Sequence, residues 1–516
     1  MSRPLCTINP YTLEKQFRNR ETEQEASQKI LIITYYWPPC GGAGVQRWLK
    51  FSKYLPELGW EPYVVTVDPR HASFPAIDKS LEAEVHPSVR VYKTRAINWF
   101  RLFSTSGPAE QKESGNRRDN IGQGSSGSKE STGGLRGSGS KRYASDTEGI
   151  GSNGDTGATR GRSSNGDTMD TRGSEEIGFT GSADESASTA SLMVRISRFI
   201  RGNFFIPDPR RGWNRYAYRM ASKIIREEKI GYVVTTSPPH STQLIGLRLK
   251  KRFPQIKWIA DLRDPWTGIY YYSMFSHTRL ATMLDAMYEK RVLRQADRII
   301  TVGNSLKNEF EKRGGIPSEK IEILYNGYDR TDFTPEGETE QQPAISYVGS
   351  LTSHYPLEGF INALDIIADE IPVGGIRFIG NIPGEIKEKL ETRISADKLI
   401  FSPYTSHNKA VKAMSSSSIL LIVIPQHPGN KAIITGKLFE YLATGNHILC
   451  IGPADGDAAE IIERSSQGKT FGYSDEKGIA EFIKEKIREP RSENDFSLKY
   501  ERRSVTEDLV RILEQS

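Results

Sequence analysis

An apolar run at residues 419–424, the segment Thr435-Gly436-Lys437-Leu438-Phe439-Glu440-Tyr441-Leu442-Ala443-Thr444-Gly445, and a second run His447-Ile448-Leu449-Cys450-Ile451-Gly452 follow one another. They read as strand, loop, helix, strand. In such a unit the loop and the helix start face the crevice at the carboxyl ends of the strands, where α/β proteins bind ligands. Thr435 and Gly436 make a small-residue turn, and the helix N-terminus behind them attracts phosphate. Glu440, one turn further on, is placed to accept both hydroxyls of a ribose. The alternative is a core helix with a solvated Glu440.

A matching unit stands near the other end. Residues 30–36 form an apolar, aromatic strand, followed by Trp37-Pro38-Pro39-Cys40-Gly41-Gly42-Ala43-Gly44-Val45-Gln46-Arg47. Gly41, Gly42 and Gly44 let backbone N–H groups come close to a phosphate or a sugar, because no Cβ intervenes. Helical spacing then runs through Trp48, Leu49, Phe51 and Leu55 to a stop near Gly59. Asp68 ends the next strand, where a dinucleotide enzyme binds ribose. The third glycine of that pattern is replaced by Arg47, so a nicotinamide-dinucleotide site is disfavoured.

The two motifs together resemble those of the two-Rossmann-domain (GT-B) glycosyltransferases, in particular the retaining family 4-like group of bacterial surface-polysaccharide type. β-α alternation on both sides of a polar stretch agrees with the fold that this implies: α/β, with two doubly wound parallel-sheet domains and a cleft between them. The expected division is a polar tail (1–28), an acceptor-side domain (29–328), a linker (329–343), a nucleotide-sugar-binding domain (344–490), and a C-terminal segment (491–516). In the family, the last helix crosses back onto the N-terminal domain.

The resemblance implies transfer of a sugar from a nucleotide-sugar donor to a glycan or lipid-linked acceptor, with neither metal nor cofactor. Donor contacts fall to Glu440, Lys437, Thr435, Gly436, Gly349 and Lys431, and the glycine loop 41–44 lines the cleft. Two departures stand out. Ala432 occupies the place of the first glutamate of the family's paired-acid motif, eight positions before Glu440. The turn after the first strand of the C-terminal domain, Gly349-Ser350-Leu351-Thr352-Ser353-His354, lacks the usual Arg and Lys. Lys431 or Lys437 is left to neutralise the diphosphate.

On the acceptor side, His240 in Ser237-Pro238-Pro239-His240-Ser241 and the trio Asp261, Arg263 and Asp264 leave strand ends at the cleft. They are the catalytic candidates, since acids and an arginine there position a hydroxyl or stabilise developing charge. An Arg263–Asp264 salt bridge that merely holds the loop is the structural alternative. Asp455-Gly456-Asp457 imitates a metal-binding acid pair but precedes a helix at 458–462, where Asp is a common cap.

At 516 residues the chain has room for two or three domains. Residues 104–190 are dominated by Gly and Ser and read as a disordered insertion, since so few large apolar side chains cannot offset the entropy of ordering. Within it Ser152-Asn153-Gly154-Asp155-Thr156 recurs as Ser164-Asn165-Gly166-Asp167-Thr168, too short and polar for a structural repeat. No apolar run reaches the length of a membrane-spanning helix, and residues 1–28 lack a signal-peptide core. Cys6, Cys40 and Cys450 show no metal spacing and suit reduced thiols in the cytoplasm.

The net charge of +6 is mild, but Arg195, Arg198, Arg201, Arg210, Arg211, Arg215 and Arg219 crowd one stretch with Phe199, Phe204, Phe205, Trp213 and Tyr216. Such a mixture suits peripheral contact with an anionic membrane at its inner face. No nucleic-acid module accompanies it. Two rival functions remain: a nucleotide-sugar epimerase of the same fold, and a non-catalytic nucleotide-sugar-binding subunit.

Overall fold

The computed structural model describes residues 28–97, 99, 199–269, 272, 276–333, 340–353, 355–492 and 495–516. The tail, the insertion at 104–190, Cys6, Arg195 and Arg198 lie outside the described residues.

The N-terminal sheet contains β1 (Gln28–Ile33), β2 (Trp60–Val67), β3 (Arg90–Thr94), β4 (Tyr232–Ser237), β5 (Lys257–Leu262), β6 (Arg298–Thr301) and β7 (Ile321–Ile323). All pairs are parallel and the spatial order is β3-β2-β1-β4-β5-β6-β7. The second sheet holds β8 (Gln342–Val348), β9 (Ile376–Ile379), β10 (Leu399–Ser402), β11 (Ser417–Val423), β12 (His447–Ile451) and β13 (Gly468–Phe471), in the order β10-β9-β8-β11-β12-β13. It too is parallel throughout. Every residue of β11 and β12 is buried. That burial on both faces explains why these strands read as unbroken apolar runs rather than as alternating ones.

Helices alternate with the strands. In the N-terminal domain they are α1 (Ala43–Tyr54), α2 (Asn214–Glu227), α3 (Gln243–Arg252), α4 (Arg279–Gln295) and α5 (Asn304–Gly314). In the C-terminal domain they are α6 (Glu358–Ile366), α7 (Gly384–Arg393), α8 (His407–Ser415), α9 (Gly436–Thr444), α10 (Asp457–Ser465) and α11 (Glu476–Lys486). The final helix, α12 (Arg502–Glu514), puts Val505, Leu509, Ile512 and Leu513 into the N-terminal core beside Trp48, Phe51 and Leu55.

The chain therefore crosses between the domains twice, and the crossings touch. Tyr328 donates its N–H to Tyr500 O (3.0 Å), and Arg502 donates its N–H to Tyr328 O (2.8 Å). Gly327 has φ +70°, and a Cβ there would strike the Tyr500 carbonyl, so glycine answers both the torsion and the close approach. Asp329, at the head of the presumed linker, is instead a buried anchor. It accepts from Lys53 Nζ (2.9 Å), Lys50 Nζ (3.3 Å) and the Tyr54 hydroxyl (2.8 Å), all from α1. Burial alone would raise its pKa, but these lysines and the tyrosine outweigh that and hold the carboxyl far below its ordinary value.

Candidate functional site

Each sheet reverses its direction of growth at one place, between β1 and β4 in the first and between β8 and β11 in the second. Loops leaving those strands open a crevice, and the sequence motifs sit there: the glycine turn after β1, residues 237–241 after β4, and Gly349 after β8. The carboxyl edges of the two sheets face each other. Ser305, just beyond β6, is gripped by Asp457, just beyond β12: the carboxylate accepts from the Ser305 N–H (3.1 Å) and hydroxyl (2.8 Å).

On the N-terminal side Arg263 binds the loops into one wall. Its Nε donates to Ser237 O (3.0 Å) and its Nη1 to Gly44 O (3.4 Å). The arginine thus ties two loops together through carbonyl groups, which is neither the free catalytic cation nor the simple Arg263–Asp264 bridge expected. Gly42 caps α1 with φ +89°, and a Cβ on it would meet open space. His240 stacks on Trp266, with ring centroids 5.0 Å apart. Burial holds its pKa down to about 4, so the imidazole is neutral near pH 7. Asp264 is half-buried, its pKa raised by burial, and among the described residues its carboxylate has no hydrogen-bond partner.

Asp261 is placed differently from the catalytic expectation. It is 0% exposed, and Arg47, 1% exposed, meets it through Nη2 at 3.1 Å and Nε at 3.3 Å. Trp48 Nε1 and the Thr236 hydroxyl each donate to it at 2.7 Å. With its oxygens so enclosed it has no face for a reactant. It anchors α1 to β4 and β5, and the arginine in the third-glycine position is its partner. Arg47 also donates through Nη1 to Tyr325 O (3.1 Å) and Asn326 Oδ1 (3.0 Å), fastening α1 to the interdomain crossing. Asp68, the former ribose candidate, is taken by Arg70 (2.6 Å).

On the C-terminal side Lys437, on the first turn of α9, reaches back to the end of β8. Its Nζ lies 4.2 Å from the centre of the Tyr347 ring and 2.9 Å from the Tyr347 hydroxyl. A Cβ on Gly349, where φ is +127°, would collide with that ammonium group. Lys437 therefore supplies at the Gly349 turn the cation that the turn itself lacks. Lys431 is paired with Asp455 at the surface. Thr435 precedes α9, and its hydroxyl oxygen is buried without a partner among the described residues, while a Cβ on Gly436 would meet open space. An unanswered buried hydroxyl at a helix N-terminus is a feature that a bound oxyanion would satisfy.

Glu440 is half-buried one turn deeper. Burial raises its pKa; His407, Arg502 and Lys437 draw it back down, and Asp332 opposes them. His407 Nε2 lies 3.1 Å from Asp332 Oδ2.

Ala432 packs on the N-terminal apolar cluster that contains Val302 and Leu306. A side chain at Gly303 would strike both Ile434 and the Asp457 carboxylate, so the loop before α9 is braced by the opposite domain. Asp457 is a cap, as its position before a helix suggested, but for the start of α5 across the cleft rather than for its own helix. A groove of about 490 Å³ lined by His447, Gln467 and Lys469 opens at the amino ends of β12 and β13, away from the switch point.

Two facing parallel-sheet domains with their motifs at the switch points define the GT-B fold. Among solved structures, sucrose-phosphate synthase from Thermosynechococcus elongatus is similar at a TM-score of 0.51 and 12% identity, over 95% of this chain and 98% of that one. The HepE protein of Anabaena, solved with UDP, is similar at 0.50 and 10%, over 95% and 100%. The N-terminal domain of Candida albicans trehalose-6-phosphate phosphatase is similar at 0.51 and 10%, over 96% and 98%. At such identities the likeness speaks for the fold. Residues 169–332, the part of the chain that holds His240, Asp261, Arg263 and Asp264, match the sequence model of Glycosyltransferase Family 4, in line with the resemblance read from the two motifs. No curated protein matches the chain by sequence.

Proposed function

We propose that the chain transfers a sugar, with retention, from a nucleotide-sugar donor to a glycan or lipid-linked acceptor held in the cleft, in the synthesis of a cell-surface polysaccharide. The observation that carries this reading is Lys437, laid across the Gly349 turn beside the unpartnered Thr435 hydroxyl and the start of α9. A lysine, a helix N-terminus and a glycine turn together suit a diphosphate. Lys437 stands where a metal would otherwise be needed to neutralise it, and no metal or cofactor is invoked. Glu440 takes the ribose, and HepE, of the same fold, was solved with UDP. In the transfer step the bond from the anomeric carbon to the phosphate oxygen breaks, the acceptor oxygen bonds to that carbon, and the departing phosphate takes the acceptor's proton. Asp264, the uncommitted acid of its loop, orients the acceptor hydroxyl, and neutral His240 lines the same wall. The reaction belongs to the cytoplasmic face of a membrane.

Calorimetric titration with UDP, GDP and ADP tests the donor site. One of these should bind, and Lys437→Ala should weaken it about tenfold or more, the scale of a charge-assisted contact. Binding by none of them, or equal binding by the variant, defeats the assignment. An epimerase would convert the donor alone, which product analysis without acceptor reveals.

A further inference from the structure

The basic and aromatic stretch between Arg195 and Arg219 is only partly a surface. Arg210 and Trp213 are buried, Trp213 donating to Thr94 Oγ1 at 2.7 Å, and Asp208 braces the loop after β4 by accepting from the Ser241 N–H (2.7 Å) and hydroxyl (2.8 Å). This part of the chain belongs to the scaffold.

The outward amphipathic face lies on α4 instead. Leu280 is 76% exposed, Met283 70% and Met287 36%, at spacings of three and four residues that place them on one side of the helix over roughly 10 Å. Both acids of α4 point the other way and are buried. Asp285 accepts from Trp266 Nε1 (2.8 Å) and from the Tyr272 hydroxyl (3.0 Å), and Glu289 from the Thr267 hydroxyl (2.5 Å). The cations of the helix, Arg279, Lys290, Arg291 and Arg294, stay exposed. Beside the helix start, Asn203 bonds Ser276 O (2.8 Å) and the Thr278 N–H (2.6 Å), which brings Phe204, 72% exposed, to the same region. Arg211 lies over the Tyr288 ring at 5.8 Å and adds a further cation.

From this sorting we propose that the outer face of α4, with Phe204, docks the protein on an anionic lipid bilayer. Exposed apolar side chains rimmed by cations, with the acids withdrawn, complement a negatively charged surface that also admits apolar groups. Unbranched methionines suit an irregular acyl boundary. The same helix supports the loop after β5 through Trp266 and Thr267, so docking sets that wall of the cleft at the membrane. The docking itself does not depend on the transfer reading, and its assay needs no nucleotide.

The full chain should co-sediment with phosphatidylcholine vesicles containing phosphatidylglycerol, much less with phosphatidylcholine alone, and progressively less as salt is added. Lys290→Glu combined with Arg291→Glu should lower partitioning about tenfold or more, and so should Met283→Asp. These positions are exposed, so circular dichroism and thermal unfolding should match the parent. A parent that ignores anionic vesicles at low ionic strength, or variants that bind as well as the parent, would overturn the proposal. So would variants that split a dimer while vesicle binding is absent, since the face would then join two copies of this chain.

Discussion

Removing the Arg47 side chain tests the structural account of Asp261 most directly. In Arg47→Met the carboxylate keeps Trp48 and Thr236 but loses its only cation within 3.3 Å among the described residues, at a site with no access to water. Breaking a buried pair from one side costs about 3–5 kcal/mol, because the remaining charge is left uncompensated. The loss of the bonds to Tyr325 O and Asn326 adds on the order of 1 kcal/mol, partly offset if water reaches that more open edge. The expected result is a clear fall in the urea midpoint with little change in the slope. Asp261→Asn should also destabilise, since it strands Arg47. The double variant should lose less than the sum of the two by roughly 1–3 kcal/mol, the range seen for contacting groups. A loss under about 1 kcal/mol for Arg47→Met, or strict additivity, would refute the buried-pair argument. A catalytic Asp261 would behave otherwise: Asp261→Asn would keep the parent's stability and lose only turnover.

Two further outcomes follow from the site and its surroundings. Glu440→Gln should weaken nucleotide binding about tenfold while leaving the urea midpoint nearly unchanged, and equal affinity in titration would remove Glu440 from the ribose. Asp285 has its pKa raised from 3.8 to about 6, chiefly by burial. Between those values the folded state keeps a proton that the unfolded chain has released, so this group's stabilising contribution is full below pH 3.8 and is lost as pH rises through 6. The change is roughly 3 kcal/mol; Asp285→Asn should flatten this part of the stability–pH curve, and an unaltered curve would show that the carboxyl titrates normally.

The two α/β domains were legible because their signal is local. Apolar runs such as residues 419–424 and 447–451 are strands buried on both faces, and a glycine or small-residue turn followed by helical spacing marks a strand-to-helix corner. The ends of elements were less legible. Strand β8 starts at Gln342, inside what reads as a polar linker, because its first residues pair at the exposed edge of the fold before any apolar side chain appears. Asp329 looks like a solvated linker residue, and nothing adjacent to it in sequence announces the two lysines and the tyrosine of α1.

The candidate site divides in the same way. Thr435, Gly436, Lys437 and Glu440 were readable from one short motif, since a helix start fixes its own neighbours and its own affinity for anions. Sequence offered Lys431 and Lys437 as equals for the Gly349 turn; the fold separated them, drawing one to Asp455 and laying the other over Tyr347. Asp261 and Arg47 stand 214 positions apart, and Asp457 and Ser305 are 152 apart. Periodicity states which face of an element is buried, but it does not state which distant group will be there to meet it. By itself the sequence determined the alternating elements, the small-residue turn at the start of α9 and the acid on that helix. Only the tertiary structure decided that Asp261 anchors rather than reacts, that Asp457 caps a helix in the other domain, and that the acids of α4 turn inward while its cations and methionines face out. Those choices depend on burial and on pairing between chain segments that meet only when both domains have formed.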